Sequence, residues 1–349
     1  MHDRITQTFR GSHVLTAVLV AAALAFMLVG IANNDTFYLR LGTEALIFAG
    51  LALSVDLLLG YTGLLSLGQA MYFGIGAYVS AVVLIHTQSF WLAMSASLGA
   101  SLLAAIVGGI IANQVRGVYF ALITFALAQV VAKVIYNTQS LGSSDGLIGI
   151  PVVDVNLGVA AISTSSPAGF FLAVLTIIIG LYGLTAWLLN TPFGRVLIAL
   201  KANERRVPFL GYSVWRARLA AYVLAGAIAG ISGALYPMLR GFVSPELLFF
   251  STSGNALIAV ILGGVGTLAG ALYGSIILIV LKSVISTYTT HHLIVIGSLF
   301  IALVLFVPQG LTGYVRPYIV AWLERRSTRR SNDQKPSMPT AVVLKRDSS

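Results

Sequence analysis

Long apolar runs, separated by short polar or glycine-containing stretches, recur along the chain near residues 14–32, 42–60, 64–86, 91–113, 117–137, 169–189 and 218–239. Each approaches the roughly 20 residues that carry a helix across the hydrocarbon core of a bilayer. The runs are continuous, unlike the ten-residue alternations of a membrane barrel. A backbone in lipid must satisfy its own hydrogen bonds, so they predict helices. The stretch Ser251 to Tyr288, about 38 residues, is too long for one crossing. Gly263, Gly264 and Gly266 interrupt it, which predicts a short segment ending at Leu262 and a second beginning near Leu268. With a last run reaching Pro308, the pattern predicts an all-α polytopic membrane protein of about ten transmembrane helices with glycine-broken segments.

Two glycine clusters modify this pattern. Gly60-Tyr-Thr-Gly63-Leu-Leu-Ser-Leu-Gly68 falls between the second and third runs and breaks helical continuity inside the apolar region. Broken helices at membrane depth are tolerated where they are buried in protein or line a wet cavity, so this cluster is expected to border a translocation pathway; a tight loop at the membrane surface is the alternative. Asp56, Gly60, Thr62, Gly63, Ser66, Gly68 and Gln69 are the candidate pathway residues. In Gly226-Ala-Ile-Ala-Gly230-Ile-Ser-Gly233, small residues recur four apart, which predicts close helix packing.

Composition agrees: of 349 residues 58% are hydrophobic and 9% charged, against about 25% charged in an ordinary soluble domain. Little mass remains for an extramembrane domain. The 21 Lys and Arg outnumber the 11 Asp and Glu, and they are unevenly placed. Arg4 and Arg10 precede the first run, six cations lie between Arg195 and Arg218, and a third cluster lies between Arg316 and Arg346. The positive-inside rule puts all three in the cytoplasm, as ten crossings would. The basic tail is read as topogenic or lipid-contacting, with no nucleic acid as partner. The first run is followed by Asn33, Asn34 and Asp35, not by a small-residue cleavage pattern, and is read as a retained helix. The expected division is therefore a cytoplasmic segment 1–13, a transmembrane domain 14–315 with a cytoplasmic loop at 190–217, and a basic, disordered cytoplasmic tail 316–349.

Candidate chemistry is sparse. The chain has no cysteine, hence no disulfide, no thiol nucleophile and no Cys-ligated metal. It has no Gly-Lys dipeptide, so it carries no GxxxxGK[ST] phosphate loop and cannot be its own ATPase by that route. Gly142-Ser-Ser144-Asp-Gly146 fits GxSxG but sits in a polar stretch without the strand and helix that a nucleophile elbow needs. Gly264-Val-Gly266-Thr-Leu-Ala269 mimics a dinucleotide fingerprint without its acidic partner or βαβ context. His291 and His292 are adjacent and cannot both face one metal from a helix. Glu44 and Asp56, twelve residues and about 18 Å apart along one helix, cannot pair with each other; both lie near its ends, within reach of headgroup water. Lys133 and Lys282 also lie near run ends and can snorkel. A proton relay would draw on these four, Asp56 foremost. Neither catalysis nor a cofactor is expected.

The segment from Thr191-Pro-Phe-Gly-Arg195 to Gly211-Tyr212 reads as a cytoplasmic loop with an amphipathic helix, Val196, Leu197 and Leu200 recurring three and four apart among Arg195, Lys201 and Glu204. Glu204-x6-Gly211 resembles the Glu…Gly coupling motif of ABC-importer permeases. Further blocks occur in order: Gly60 to Gln69, Phe73-Gly-Ile-Gly-Ala-Tyr78, Arg116-Gly-Val-Tyr-Phe-Ala-Leu-Ile-Thr124, Ser144-Asp-Gly-Leu-Ile-Gly149, Leu262-Gly-Gly-Val-Gly-Thr267 and Pro308-Gln-Gly-Leu311. Together, over roughly residues 40 to 315, they resemble the LivM-type permeases of branched-chain amino acid ABC importers.

That resemblance implies a permease subunit in a bacterial inner membrane. It implies as partners a LivH-like second permease, two cytoplasmic ABC ATPases that bind the ATP, and a periplasmic substrate-binding protein that delivers the solute. Arg195, Glu204, Arg205 and Gly211 would couple the chain to the ATPase. Two departures point elsewhere: Asp56 stands where Asn is common, and Arg205, Arg206 and Pro208 replace small residues, both resembling the urea and short-amide branch of the same family. The Ser144-Asp-Gly-Leu block points back to amino acids. Outside the resemblance, a stand-alone gradient-driven carrier is the rival.

Overall fold

The structure, a computed structural model, describes residues 18, 20–28, 36–156, 161–162, 166–288, 291, 294–298, 301, 305 and 310–313. Nine helices of more than ten residues have defined bounds among these: α1 (Thr36–Asp56), α2 (Gln69–Thr87), α3 (Phe90–Ala112), α4 (Val118–Asn137), α5 (Pro167–Asn190), α6 (Pro192–Asn203), α7 (Val214–Arg240), α8 (Phe250–Gly263) and α9 (Ala269–Tyr288). Seven of them, all but α6 and α8, are long and apolar enough to cross a membrane, α1 together with the turn that follows it. The first expected run is helical where it is described, and much of the last run, Arg4, Arg10 and the tail from Arg316 lie outside the described residues.

Local sequence accounts for several helix starts. Pro167 and Pro192 sit in the first turns of α5 and α6, where a missing N–H costs nothing. Ser166 Oγ accepts from Gly169 N at 3.1 Å and caps α5. Three expected limits need correction. The second run starts at Thr36, not 42, because polar Thr43 and Glu44 are absorbed into the helix: the Thr43 hydroxyl donates to Leu39 O at 2.7 Å. The third run starts at Gln69, not 64, since residues 63–68 belong to no helix. The seventh starts at Val214, where Ser213 caps Arg216 N at 3.5 Å and the cations of the first turn lie inside the helix.

α7 is the central helix and packs most extensively against α2, α3 and α1. Its small residues permit this: a Cβ on Gly230 would collide with Ser101 of α3, and one on Gly233 with the Phe73 carbonyl of α2. Small-residue faces let helices approach in lipid, where apolar burial gives no preference for protein over acyl chain. α3 and α4 instead present exposed Leu103, Val107, Val130 and Val134, the face expected against lipid.

The ends of the bundle are distinguished by their contacts. α6, the loop 113–117 and the loop 264–268 lie at one end; there Asn113 Nδ2 donates to Trp215 O at 2.8 Å and Lys201 Nζ to Gly60 O at 2.6 Å. At the opposite end an antiparallel ribbon pairs β1 (Leu147–Ile148) with β4 (Phe242–Val243), tying the α4–α5 connection to the end of α7. A second ribbon pairs β2 (Val155–Asn156) with β3 (Ala161–Ile162). At 14 residues α8 is about 21 Å long, too short to cross alone. The 3₁₀ turn Pro245–Leu248 leads into it, so the chain travels from the β4 end to the α6 end before α9 returns. The break near Gly264 falls where the sequence predicted it. The Thr312 hydroxyl donates to Gly263 O, which brings the last described residues back to the α6 end.

Candidate coupling and pathway site

The helix begun as α1 does not stop at Asp56 but widens into a π-helical turn, Leu57–Thr62. Single π turns inside α-helices are frequent at functional sites. Gly63 ends it with φ 73°, a left-handed conformation that a residue without a Cβ adopts freely. The Thr62 hydroxyl donates back to Leu58 O at 2.6 Å, and Leu64 N reaches the same carbonyl at 3.0 Å.

The non-helical stretch that follows and the first turn of α2 are held by side chains of α4, α8 and the stretch itself. Leu67 N donates to Thr124 Oγ1 of α4 at 3.2 Å, Gly68 N to Ser66 Oγ at 3.4 Å, and Ala70 N to Ser253 Oγ of α8 at 2.9 Å. These bonds meet the requirement for partners of broken backbone in a membrane. Gly68 packs against the Thr124 carbonyl so closely that any Cβ there would clash. Gln69 is fully buried; its Nε2 donates to Ser66 Oγ at 3.4 Å while its Oε1 has no partner.

Asp56 is also fully buried, which corrects the expectation that it reaches headgroup water. One carboxylate oxygen accepts from Gly266 N at 2.6 Å and the other from Leu268 N at 3.0 Å. Both donors belong to the α8–α9 loop, 210 and 212 residues away. That loop is conformationally demanding: Gly266 has φ 78°, and Leu268, with φ 50°, holds a left-handed conformation that costs a side-chain-bearing residue of order 1–3 kcal/mol. Gly60 interlocks with it, since a Cβ would overlap the Gly266 backbone. The Gly60 carbonyl is the acceptor of Lys201 Nζ. A cation on α6 thus grips the π turn, and the next carboxylate up the same helix grips the α8–α9 loop.

Around α6 the predicted stripe faces inward: Val196, Leu197 and Leu200 are buried. Arg195, Arg205, Arg206 and Gly211 are exposed, and Gly211 closes the 3₁₀ segment Glu204–Leu210 with φ 81°. Glu204 turns toward its own chain. It lies 3.5 Å from Arg116 Nε and 3.4 Å from Arg218 NH1. Arg218, 4% exposed, also donates to Val115 O at 2.9 Å and lies over the Phe120 ring. Beside this cluster Phe209, Leu210, Tyr212 and Trp215 are all exposed, an apolar patch rimmed by Arg205, Arg206 and Arg216.

The structure therefore brings Gly60 into contact with Lys201 and Asp56 into contact with the α8–α9 loop, and it buries Thr62, Ser66, Gly68 and Gln69; Gly63 is exposed. Lys201, Arg116, Arg218, Thr124 and Ser253 were not singled out from the sequence as site residues. Arg116, Thr124 and the Gly264–Gly266 loop belong to blocks that carried the family resemblance, which was the available signal. Glu44, read from sequence as a near-end carboxylate, accepts from Arg240 NH2 through both oxygens at 2.7 Å. Lys133 lies over the Tyr136 ring at 4.9 Å, and Ser144 Oγ donates to Asp145 in an exposed turn. Among the described residues no three His, Asp or Glu come together as a metal site; His292 is outside them.

Residues 37–306 match the family described as "Branched-chain amino acid transport system / permease component". The chain is 28% identical to the high-affinity branched-chain amino acid transport system permease protein LivM of Escherichia coli (strain K12), over 87% of this chain and 76% of that protein. It is 27% identical to the probable branched-chain amino acid transport permease protein LivH of Methanocaldococcus jannaschii, over 87% of this chain and 91% of that one. With LivH of Escherichia coli (strain K12) it shares 25% identity over 76% of this chain and 91% of that protein. No solved structure matches the chain. With its spanning helices, its broken glycine segment and a match over most of its length, this multi-pass membrane protein belongs to the permease-component family of branched-chain amino acid transport systems.

Proposed function

We propose that the chain is one transmembrane permease subunit of an ABC importer for branched-chain amino acids. It stands in a bacterial inner membrane with both termini in the cytoplasm. A LivH-like permease is its membrane partner, and similarity to both LivM and LivH relatives supports two related chains sharing one pathway. Two cytoplasmic ABC ATPases bind and hydrolyse the ATP, and a periplasmic binding protein delivers the solute. The chain itself needs no cofactor.

The observation that carries this reading is the bond from Lys201 on amphipathic α6 to the carbonyl of Gly60. The exposed Phe209–Trp215 patch with its arginine rim is a docking face for the ATPase, and Glu204, held by Arg116 and Arg218, sets the angle of α6 against the bundle. When the docked ATPase moves α6, Lys201 draws on the π turn, and Asp56 passes the movement to the α8–α9 loop. The strip from Thr62 to Gln69 then reorients along the pathway.

Glu204→Lys would place a third cation between Arg116 and Arg218. It is expected to abolish ATP-driven leucine uptake while leaving membrane insertion and co-purification with the second permease intact. Wild-type uptake by this variant would overturn the coupling assignment. The urea and short-amide reading loses one of its two supports, because Asp56 is fully buried against the α8–α9 loop and presents no accessible surface to a solute.

A further inference from the structure

At the end of the bundle opposite α6 lies a cavity of about 530 Å³ between α1, α7, α8 and α9. This is within the range of small-ligand sites, roughly 300–1,000 Å³. Its polar wall carries the Glu44–Arg240 ion pair together with Arg40, Lys282, Asn255 and Ser283; Phe48 and Leu278 are among its apolar members. Three cations face one carboxylate. Arg240 is engaged by Glu44, whereas among the described residues neither Arg40 nor Lys282 forms an ion pair.

Charges on spanning helices are costly and cluster where solutes pass. Long cations near helix ends also snorkel to headgroups with no further role. Snorkelling alone does not account for the convergence here: Arg40 and Lys282 come from different helices and border the same chamber as a bidentate ion pair, beside apolar side chains. A carboxylate oxygen has room for more than one donor, so Glu44 can hold Arg240 and accept a further N–H.

We propose that this chamber binds a zwitterionic aliphatic amino acid. Arg40 and Lys282 hold the solute carboxylate, Glu44 accepts from its ammonium group, and Phe48 and Leu278 pack its side chain. The assignment rests on the import reading above and locates the outer-mouth site at which solute first meets this chain. An uncharged amide such as urea would leave both spare cations unpaired, so the chamber favours amino acids over that branch.

The absence of cysteine makes a direct test available, because Ser283→Cys supplies the only thiol of this subunit. The assembled transporter, in nanodiscs and without ATP, is treated with a membrane-impermeant neutral maleimide. Leucine is expected to slow labelling of this thiol at least about fivefold at saturation; 4-methylpentanoate, which keeps the carboxylate, protects at higher concentration, and leucinol, which lacks it, does not. Adding Arg40→Gln and Lys282→Gln raises the half-protecting leucine concentration at least about tenfold, the effect of losing a charge-assisted hydrogen bond. Both side chains are exposed, so folding is retained.

Labelling indifferent to leucine, equal protection by leucinol, or protection that survives the double substitution each overturns the chamber. So does protection by phosphatidylglycerol nanodiscs in place of leucine, which would make the cations a lipid-headgroup site. The assay needs no turnover. A complex that fails to transport leucine overturns the import reading separately, and one that transports leucine with an unprotected thiol overturns the chamber alone.

Discussion

Asp56 exemplifies what a residue's surroundings do to its meaning. In the sequence it is a carboxylate near the end of an apolar run, four residues before a glycine, and its contrast with Asn in relatives pointed to the solute. In the fold it is a fully buried acceptor whose two oxygens take the N–H groups of Gly266 and Leu268. Removing it leaves two buried donors without partners, at a cost of about 1–3 kcal/mol each. Asp56→Ala is therefore expected to destabilise the purified chain by roughly 2–6 kcal/mol in thermal unfolding. Asp56→Asn keeps one acceptor oxygen, falls between the two, and leaves the preference for leucine over urea unchanged in competition uptake. A shift of preference toward amino acids in the Asn variant would return the carboxylate to the solute. Glu204 shows the converse. Its spacing to Gly211 was legible, yet its partners Arg116 and Arg218 lie 88 and 14 residues away in the chain and were not.

At the scale of elements, periodicity and apolar length identified the spans, because a membrane leaves the backbone few conformations. The apolar stripe of α6 and the break at Gly263–Gly266 were legible for the same reason: both follow from local residue pattern. What was not legible is how a helix ends inside the membrane. The π turn at Leu57–Thr62 has no signal in residue period, and neither do the acceptors that Thr124 of α4 offers Leu67 N and Ser253 of α8 offers Ala70 N. α6 packs on this break and reaches it with one side-chain hydrogen bond, from Lys201. Lys201→Met keeps the aliphatic stem and removes the donor to Gly60 O. It is expected to leave assembly and ATPase activity of the transporter near wild type while lowering leucine transport per ATP hydrolysed by about tenfold, the weight of one charge-assisted hydrogen bond. Unchanged coupling in this variant would remove Lys201 from the transmission route.

For the whole molecule, the parity of crossings matters most. The α8–α9 loop and Thr312 both return to the α6 end. A reporter active only outside the cytoplasm, fused after the last residue, is expected to stay silent. Reconstituted alone in vesicles, the chain is expected to accumulate no leucine under a proton or sodium gradient, since the import reading places the driving force on separate ATPases. Accumulation without ATPase partners would favour a gradient-driven carrier. The sequence by itself determined that this is an all-helical membrane protein, where its helices run, where glycine interrupts them and which loop is amphipathic and basic, because lipid exposes each of these to a local constraint. Only the tertiary structure decided which distant groups satisfy the broken backbone, that Asp56 braces a loop, that Lys201 holds the π turn and that four charged residues from three helices surround one chamber. Those contacts join positions far apart in the chain, and no spacing rule along a sequence encodes which helix will stand beside which.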